Sequence, residues 1–569
     1  MSTIDLRKKG HLEDNLKLKF HEVLRESVAP FHEYVENISK GISEDIDWWV
    51  STPVSRDTLY SNLFHNFTIL YFLKKLLNEK VRIDTIIIDD IYLEEVIDEL
   101  FLLNNQKVCI QVEDHKQYQR SLVRHFYEII RLHFIFFIKL FICKFILRNK
   151  DKKYSVSDDL ILIDTFFLEA FKEKERYFDG LFENLNEKEQ RNTFFVPSIL
   201  NEEITCLYRS IKFIRSHPNK YLLKEDFLSF RDLLFTIGHF YRKNKIQFGN
   251  IKVLGCSFYK LVEAELHYLN RYFMCIEALL SYRFARILNK KQIKIRTTVN
   301  WFENQPMDKG WNLGFNSFFK DSHNLGYRGL VPANYFLSQK YVTDFEFESG
   351  VTPKELYTVG DNEGLEAKRF TKLTKVLPGP AFRFKYLWGK LSRDRKAKNK
   401  VFIALPITID QSIVIMEAVN SIQSHLDLEN IEFLIKLHPT MEESFLLSNL
   451  TFPISSNMTF TKEEASSILM KSNLIIAGMS SICLEACAAG VPLIIFNYQN
   501  LIPFNSLPNN IPKEVWKDVS NEEQLLKEVR SFLTMKDHDK KIRLEKSEMV
   551  KINNFVPVNN DSIKHFLNL

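Results

Sequence analysis

The chain has 569 residues, 45% of them hydrophobic, with 77 Lys and Arg against 72 Asp and Glu for a formal charge of +5. That length holds two or more domains with a substantial core, and so balanced a charge without a compact Lys/Arg stripe excludes nucleic acid as the expected partner. Seven cysteines spread from Cys109 to Cys487 form no disulfide framework, and the opening MSTIDLRKKGHLEDN lacks the apolar centre of a secretory leader, so a reducing cytoplasm is the expected compartment.

Residues 1 to about 75 read as helical, with Leu, Phe and Val at three- and four-residue spacings through LKLKFHEVLRESV and LYSNLFHNFTILYFLKKLL. Strands at Thr85 to Ile88 and Lys107 to Val112 flank a helix and start a parallel α/β sheet. A helical insertion over about 114–155 carries the apolar run Leu132 to Leu147. Lys139 and Lys144 interrupt that run, and it is shorter than the roughly 20 residues that span a bilayer. Arg120, Arg124 and Arg131 share one helix face, within about 40° of one another at ~100° per residue. Two readings follow: an interfacial helix that dips Phe and Ile into the inner membrane leaflet, peripheral to the cytoplasm, or a helix buried against the N-terminal domain.

Leu160 to Ile163 and Thr193 to Val196 resume the sheet, residues 221–290 are again helical, and Gly326 to Pro332 and Leu356 to Gly360 are late elements of the same domain. Phe370 to Lys400, basic and containing Pro378, Gly379 and Pro380, reads as a linker, and Val401 to Leu405 opens a second α/β domain. The expected organisation is a Rossmann-like domain over 1–375, a linker over 376–400, a second Rossmann-like domain over 401–540 and a tail over 541–569.

Two turns in the second domain carry chemistry. In IEFLIKLHPT, His438 and Pro439 lie just beyond an apolar strand; in NLIIAGMSSICLEACAAGVPLIIFNY, Ser480 and Ser481 lie between the strand Leu474 to Ala477 and a helix that Gly490 closes. Both turns fall at carboxyl ends of strands, the edge where parallel sheets bind ligands. Free N–H groups at a helix start, two hydroxyls and an imidazole together suit a phosphate. Singly, each residue has a plainer role as a helix cap, a satisfied buried histidine or a strand terminator. Glu485 is three residues after neither serine, so it partners neither in a capping box and is free to turn toward a ligand such as a ribose. Cys483 and Cys487 lack a second metal-binding pair, and Asp45-Ile46-Asp47 lies outside any strand-end context. Neither a metal nor another cofactor is expected.

KLHP followed about forty residues later by GMSSICLEACAAGVPLI resembles the HP and SS motifs in the C-terminal domain of bacterial GT-B glycosyltransferases that use CMP-activated acidic sugars, the sialyltransferase, polysialyltransferase and Kdo-transferase groups. The resemblance implies that His438, Pro439, Ser480 and Ser481 hold the cytidine monophosphate, with Glu485 beside them. Enzymes that transfer glycerol phosphate or ribitol phosphate from CDP-polyols share similar turns. DWWVSTPVSRDTLYSNLF, LILIDTFFL, RYFDGLFENL, FFVPSI, WFENQPMDKGWNLGF, GYRGLVP and LPGPAFRF are similar to segments of bacterial surface-carbohydrate biosynthesis proteins. Together these resemblances imply an α/β protein of the GT-B plan, two Rossmann-like domains facing a cleft. The implied activity moves a Kdo-like or sialic-acid-like sugar from CMP to a glycan or lipid-linked acceptor of a capsule, O-antigen or lipopolysaccharide. The alternatives are a CDP-polyol phosphotransferase and a non-catalytic nucleotide-binding or membrane scaffold protein of polysaccharide assembly.

Two departures bear on that reading. The two glutamates eight positions apart of retaining nucleotide-diphosphosugar enzymes are missing, since Ala477 and Leu493 stand eight before and after Glu485; UDP and GDP donors fall behind CMP. The acid pair followed by Gly in classical sialyltransferases is matched only loosely, by Asp361-Asn362-Glu363-Gly364. The expected catalytic carboxylate is therefore Glu303, just after an aromatic strand end and before an amide-rich loop, with Asp308 second. Lys309 and Arg328 are the expected partners of the sugar's carboxylate.

Overall fold

The computed structural model describes every residue except 1–2, 9, 11, 114, 150–158, 170–171, 173–174, 201–202, 268–271, 390–398, 427–430, 440, 479, 498–500, 504 and 506, with the backbone alone for 115–123 and 125. Its strands form three sheets in which every described ladder between strands is parallel. The first is small: β1 (Thr3–Asp5), β2 (Thr85–Ile88) and β3 (Cys109–Val112) pair in that order. Helices Asp14–Ser39, Leu63–Asn78 and Ile91–Leu103 accompany it and bury Phe20, Phe31, Phe64, Phe67 and Phe72. This sheet corrects the expectation that β2 and β3 begin the main N-terminal sheet. The missing piece was β1, three residues with no alternation to reveal them, paired to a strand some eighty residues away.

The second sheet contains β4 (Leu160–Phe167), β5 (Thr193–Ile199), β6 (Ile295–Trp301), β7 (His323–Arg328), β8 (Glu355–Thr358) and β9 (Lys375–Pro378), in the order β5-β4-β6-β7-β8-β9. LILIDTFF and TFFVPSI are nearly continuous apolar runs because both faces of a parallel sheet are covered, and every residue of β5 is buried. The third sheet contains β10 (Asn399–Ala404), β11 (Ile431–Lys436), β12 (Met458–Phe460), β13 (Leu474–Ala477), β14 (Leu493–Phe496) and β15 (Trp516–Val519), in the order β12-β11-β10-β13-β14-β15. Numbered from its own first strand that order is 3-2-1-4-5-6, the dinucleotide-binding arrangement, while the second sheet starts 2-1-3-4-5 as in flavodoxin-like folds. Two Rossmann-like domains, the GT-B plan, are what the chain forms.

Three details differ from the sequence reading. β9 occupies residues expected to begin the linker. The C-terminal residues are no tail: helix Asp537–Asn554 packs on the second domain, where Arg543 Nη1 donates to the Gly490 carbonyl at 2.6 Å. The chain then crosses back, Val556 exchanging backbone bonds with Val359 and Ala381, and helix Asn560–Leu567 buries Ile563, Phe566 and Leu567 in the first domain's core.

The apolar insertion satisfies neither of its two readings alone. Helix His115–Phe141 runs into a π-helical turn, Ile142–Ile146. One face docks in the core through Leu132, Ile135, Phe136, Leu140, Ile142 and Cys143, while Ile130, Phe134, Phe137, Phe141 and Phe145 on the other face stay exposed. Lys139 is on the buried face, where its ammonium lies 2.8 Å from Glu225 and 3.0 Å from Glu277. Among the described residues no helix is long and apolar enough to cross a membrane.

Candidate functional site

Each six-stranded sheet changes winding direction at one crevice, between β4 and β6 in the first domain and between β10 and β13 in the second, and ligands of open α/β sheets bind there, beyond the strand carboxyl ends. β13 leads into Gly478, whose backbone passes so close to Gln411 that a Cβ would meet it at 2.7 Å. Ser480 and Ser481 follow, then helix Ile482–Ala488. The helix is only seven residues long because Gly490, at φ +71°, takes the left-handed conformation that closes it, with Val491 N–H returning to the Ala486 carbonyl at 3.0 Å. So short a helix has a weak dipole, and recognition of an anion rests on side chains more than the sequence implied. Neither serine hydroxyl is spent as a firm cap. Ser481 makes no side-chain capping bond, and Ile482 N–H approaches Ser480 Oγ only to 3.5 Å.

Glu485 departs from its expected role. It is buried and accepts a hydrogen bond from Tyr386 Oη on one carboxylate oxygen, with Ser481 beside it, so that oxygen is engaged within the protein. Burial pushes its carboxyl up, and burial followed by the adjacent carboxylate pushes the Tyr386 phenol up as well. On the neighbouring edge β11 ends at Lys436; half-buried His438 and exposed Pro439 come next, and Met441 N–H closes the turn on the His438 carbonyl at 2.9 Å. Burial and then the charge of Arg176 hold the His438 imidazole below its usual pKa.

Arg176 and its neighbour Arg383 are functional candidates that the sequence reading missed. Arg176 follows β4 and Arg383 lies in the 3-10 helix Phe382–Trp388. Arg176 is solvent-exposed, yet surrounding protein penalises its charge and Arg383 lowers its pKa further. Glu485 and Glu464 of the second domain act back on it with the opposite sign. The two guanidinium groups thus stand where the first domain meets the His438 turn and Glu485. Their signal was present in RYFDGLFENL and LPGPAFRF, but only the fold brings these segments to one place.

On the first domain's side, Glu303 lies at the switch point beyond β6. Trp301 Nε1 donates to one of its carboxylate oxygens and Gln339 Nε2 to the other, both at 2.8 Å. The Trp301 ring packs edge-on against Tyr177 at 4.6 Å and has the Arg383 guanidinium 5.9 Å from its centroid. A continuous set of groups therefore runs from Glu303 through Trp301 and Arg383 to Tyr386 and Glu485.

The remaining sequence candidates are interior. Asp308 accepts from the backbone N–H of Glu303 and of Gln305, each at 2.9 Å, and caps helix Pro306–Phe318. Burial pushes its carboxyl well above the usual range. Its place is under the Glu303 loop. Lys309 and Arg328 are corrections: both are fully buried, and a buried cation needs a carboxylate partner. Lys309 Nζ lies 2.6 Å from Glu346 and 3.0 Å from Asn304 Oδ1; Arg328 Nη1 lies 3.0 Å from the Lys340 carbonyl and 3.3 Å from Glu363. Both cations are engaged by interior partners. Glu346 also pairs with Arg56 at 2.5 Å, so residues from three parts of the first 350 hold Asn304, at φ +57°, and with it the Glu303 turn. In Asp45-Ile46-Asp47, Asp45 caps a short helix, and Asp47 pairs with His239 and Arg242, each at 2.6 Å.

No protein-family model and no curated protein matches the chain. Among solved structures it is similar to a UDP-GlcNAc 2-epimerase from Methanocaldococcus jannaschii in complex with UDP-GlcNAc and UDP, at 12% identity and a TM-score of 0.41, over 72% of this chain and 99% of that one. It is similar to the glycosyltransferase SnogD from Streptomyces nogalater at 11% identity and a TM-score of 0.41, over 72% and 100% of the two chains. An α,α-trehalose 6-phosphate synthase from Burkholderia multivorans follows at 8% identity and a TM-score of 0.39, over 72% and 97%.

Proposed function

We propose that this protein is a glycosyltransferase that moves an acidic sugar from a CMP donor to a glycan or lipid-linked acceptor. One observation supports the reading: the Arg176 charge acts on His438 of the second domain and Glu485 acts back on Arg176, while Trp301, which holds Glu303, lies beside Arg383. Ser480, Ser481 and His438 receive the leaving phosphate, and Arg176 and Arg383 supply the positive charge that the sugar carboxylate and the departing CMP both need. That pair takes over the role expected of Lys309 and Arg328. Glu303, with both oxygens oriented by donors, accepts the proton of the acceptor hydroxyl as its oxygen attacks the anomeric carbon and the carbon–phosphate oxygen bond breaks toward CMP.

The choice of CMP over UDP rests on the HP and SS turns and on the missing glutamate pair. Titration calorimetry with CMP, CDP and UDP tests it, and CMP is expected to bind most tightly. Ser480→Ala/Ser481→Ala should weaken CMP binding by about 1.5 to 3 kcal/mol, the worth of hydrogen bonds to a charged group. Tightest binding of UDP, or unchanged CMP affinity in the folded double variant, sinks the assignment. CMP release from a CMP-activated ulosonate that accelerates on adding acceptor separates the enzyme from a non-catalytic binder.

A further inference from the structure

The outer face of the insertion helix does not stand alone. Along helix His115–Phe141 and its π turn, Phe126, Ile130, Phe134, Phe137, Phe141 and Phe145 recur at three- and four-residue steps, each more than 40% exposed. Helix Phe230–Lys243 lies beside them and continues the surface with Leu234, Ile237 and Tyr241. Phe230 joins the two helices, its ring 5.2 Å from Phe137 and stacked at 6.4 Å on Phe145. Contiguous apolar surface on this scale marks an interaction site.

Its rim is basic. Arg124, Arg148 and Arg231 are exposed at the edges, and between Arg124 and Arg148 the only acid is Glu128, which Arg131 already holds. Tyr127 and Tyr241 add amphipathic rings, the residue type enriched where apolar matrix meets headgroups. A second copy of this chain would set one basic rim against another in a two-fold contact. An anionic lipid surface presents the opposite charge above a layer that accepts Phe and Ile. Lys139, paired with Glu225 and Glu277 on the inner face, locks the helix to the domain so that the outer row is held as one rigid surface.

We infer that the exposed face of helices His115–Phe141 and Phe230–Lys243 is a membrane-docking surface that inserts Phe and Ile side chains between anionic lipid headgroups and holds the catalytic domains peripherally on the bilayer. Shallow apolar insertion combined with basic residues at the headgroups is the physics of interfacial binding. This inference does not depend on the donor assignment, because lipid binding is read without turnover.

Co-sedimentation of the full chain with phosphatidylcholine vesicles carrying about a quarter phosphatidylglycerol, against pure phosphatidylcholine, tests it. Expected are binding to the anionic vesicles only, weakening in high salt, and a loss of about tenfold or more in Ile130→Glu/Phe134→Glu/Phe145→Glu with unchanged thermal melting. Leu234→Glu, on the other helix, is a second variant and should weaken binding even if the triple change disturbs folding. Failure of the wild-type chain to bind anionic vesicles overturns the inference, as does undiminished binding in the folded Glu variants. A concentration-dependent dimer that these substitutions dissociate would also overturn it and assign the face to a second copy.

Discussion

Tyr386 occupies the carboxylate that the sequence left free for a ribose. Its hydroxyl donates to one oxygen of Glu485, a contact across more than ninety residues that no local pattern announces. At the same scale, Lys309 and Arg328 show why single residues mislead: a cation cannot be told from an ion-paired one when its partner stands 37 or 35 positions away, as Glu346 and Glu363 do. Glu303 remains the proposed base because it follows β6 at the switch point and each of its oxygens is held by a neutral donor, with no cation paired to it among the described residues. If it is the base, Glu303→Gln should keep CMP affinity and lower turnover by about a hundred- to ten-thousandfold. Steady-state kinetics beside CMP titration reads this, and near-normal turnover would move the role elsewhere in the cleft.

The Glu303 turn is braced at the scale of elements by helix Pro306–Phe318 lying against helix Tyr272–Lys290. The contact is close because Gly310 and Gly314 face it one turn apart: a Cβ on Gly310 would come within 2.2 Å of the Ala278 carbonyl, and one on Gly314 within 3.0 Å of Ala285 Cβ. GWNLGF shows glycines at helical spacing, yet nothing local says which helix they meet. Gly310→Ala should force the helices apart at a cost of about 1–3 kcal/mol, the usual range for overpacking. Urea unfolding measures that loss. Because Asp308 of the same helix holds the Glu303 N–H, turnover should fall more than donor affinity.

For the whole molecule, the decisive element is the last one. Helix Asn560–Leu567 returns to the first domain and places Phe566 among Tyr327, Tyr357 and Phe382, at ring distances of 5.4, 5.2 and 5.7 Å. The chain therefore crosses between domains twice, once near Arg383 and once at Val556, and these crossings lie side by side through the pairing of Pro380 with Val556. Phe566→Ala should destabilise the first domain by about 3–5 kcal/mol, as large-to-small changes of buried aromatics do. Thermal unfolding of the variant should show the loss; an unchanged transition would mean that the last helix is dispensable.

The HP and SS turns, β13, the long helices and the division into two parallel α/β domains were legible in the amino-acid sequence, because each is a local pattern: an apolar run of strand length, a turn residue, a helical repeat. The three-residue β1, the inclusion of β9 in the first sheet and the return of the last helix were not, since their partners lie far away along the chain. For the same reason the placing of Arg176 and Arg383 opposite His438 and Glu485 was decided only by the tertiary structure. The apolar insertion divides the same way: its composition announced a helix with too much Phe for solvent, and only the docking of Lys139 against Glu225 and Glu277 settled which side of that helix faces out.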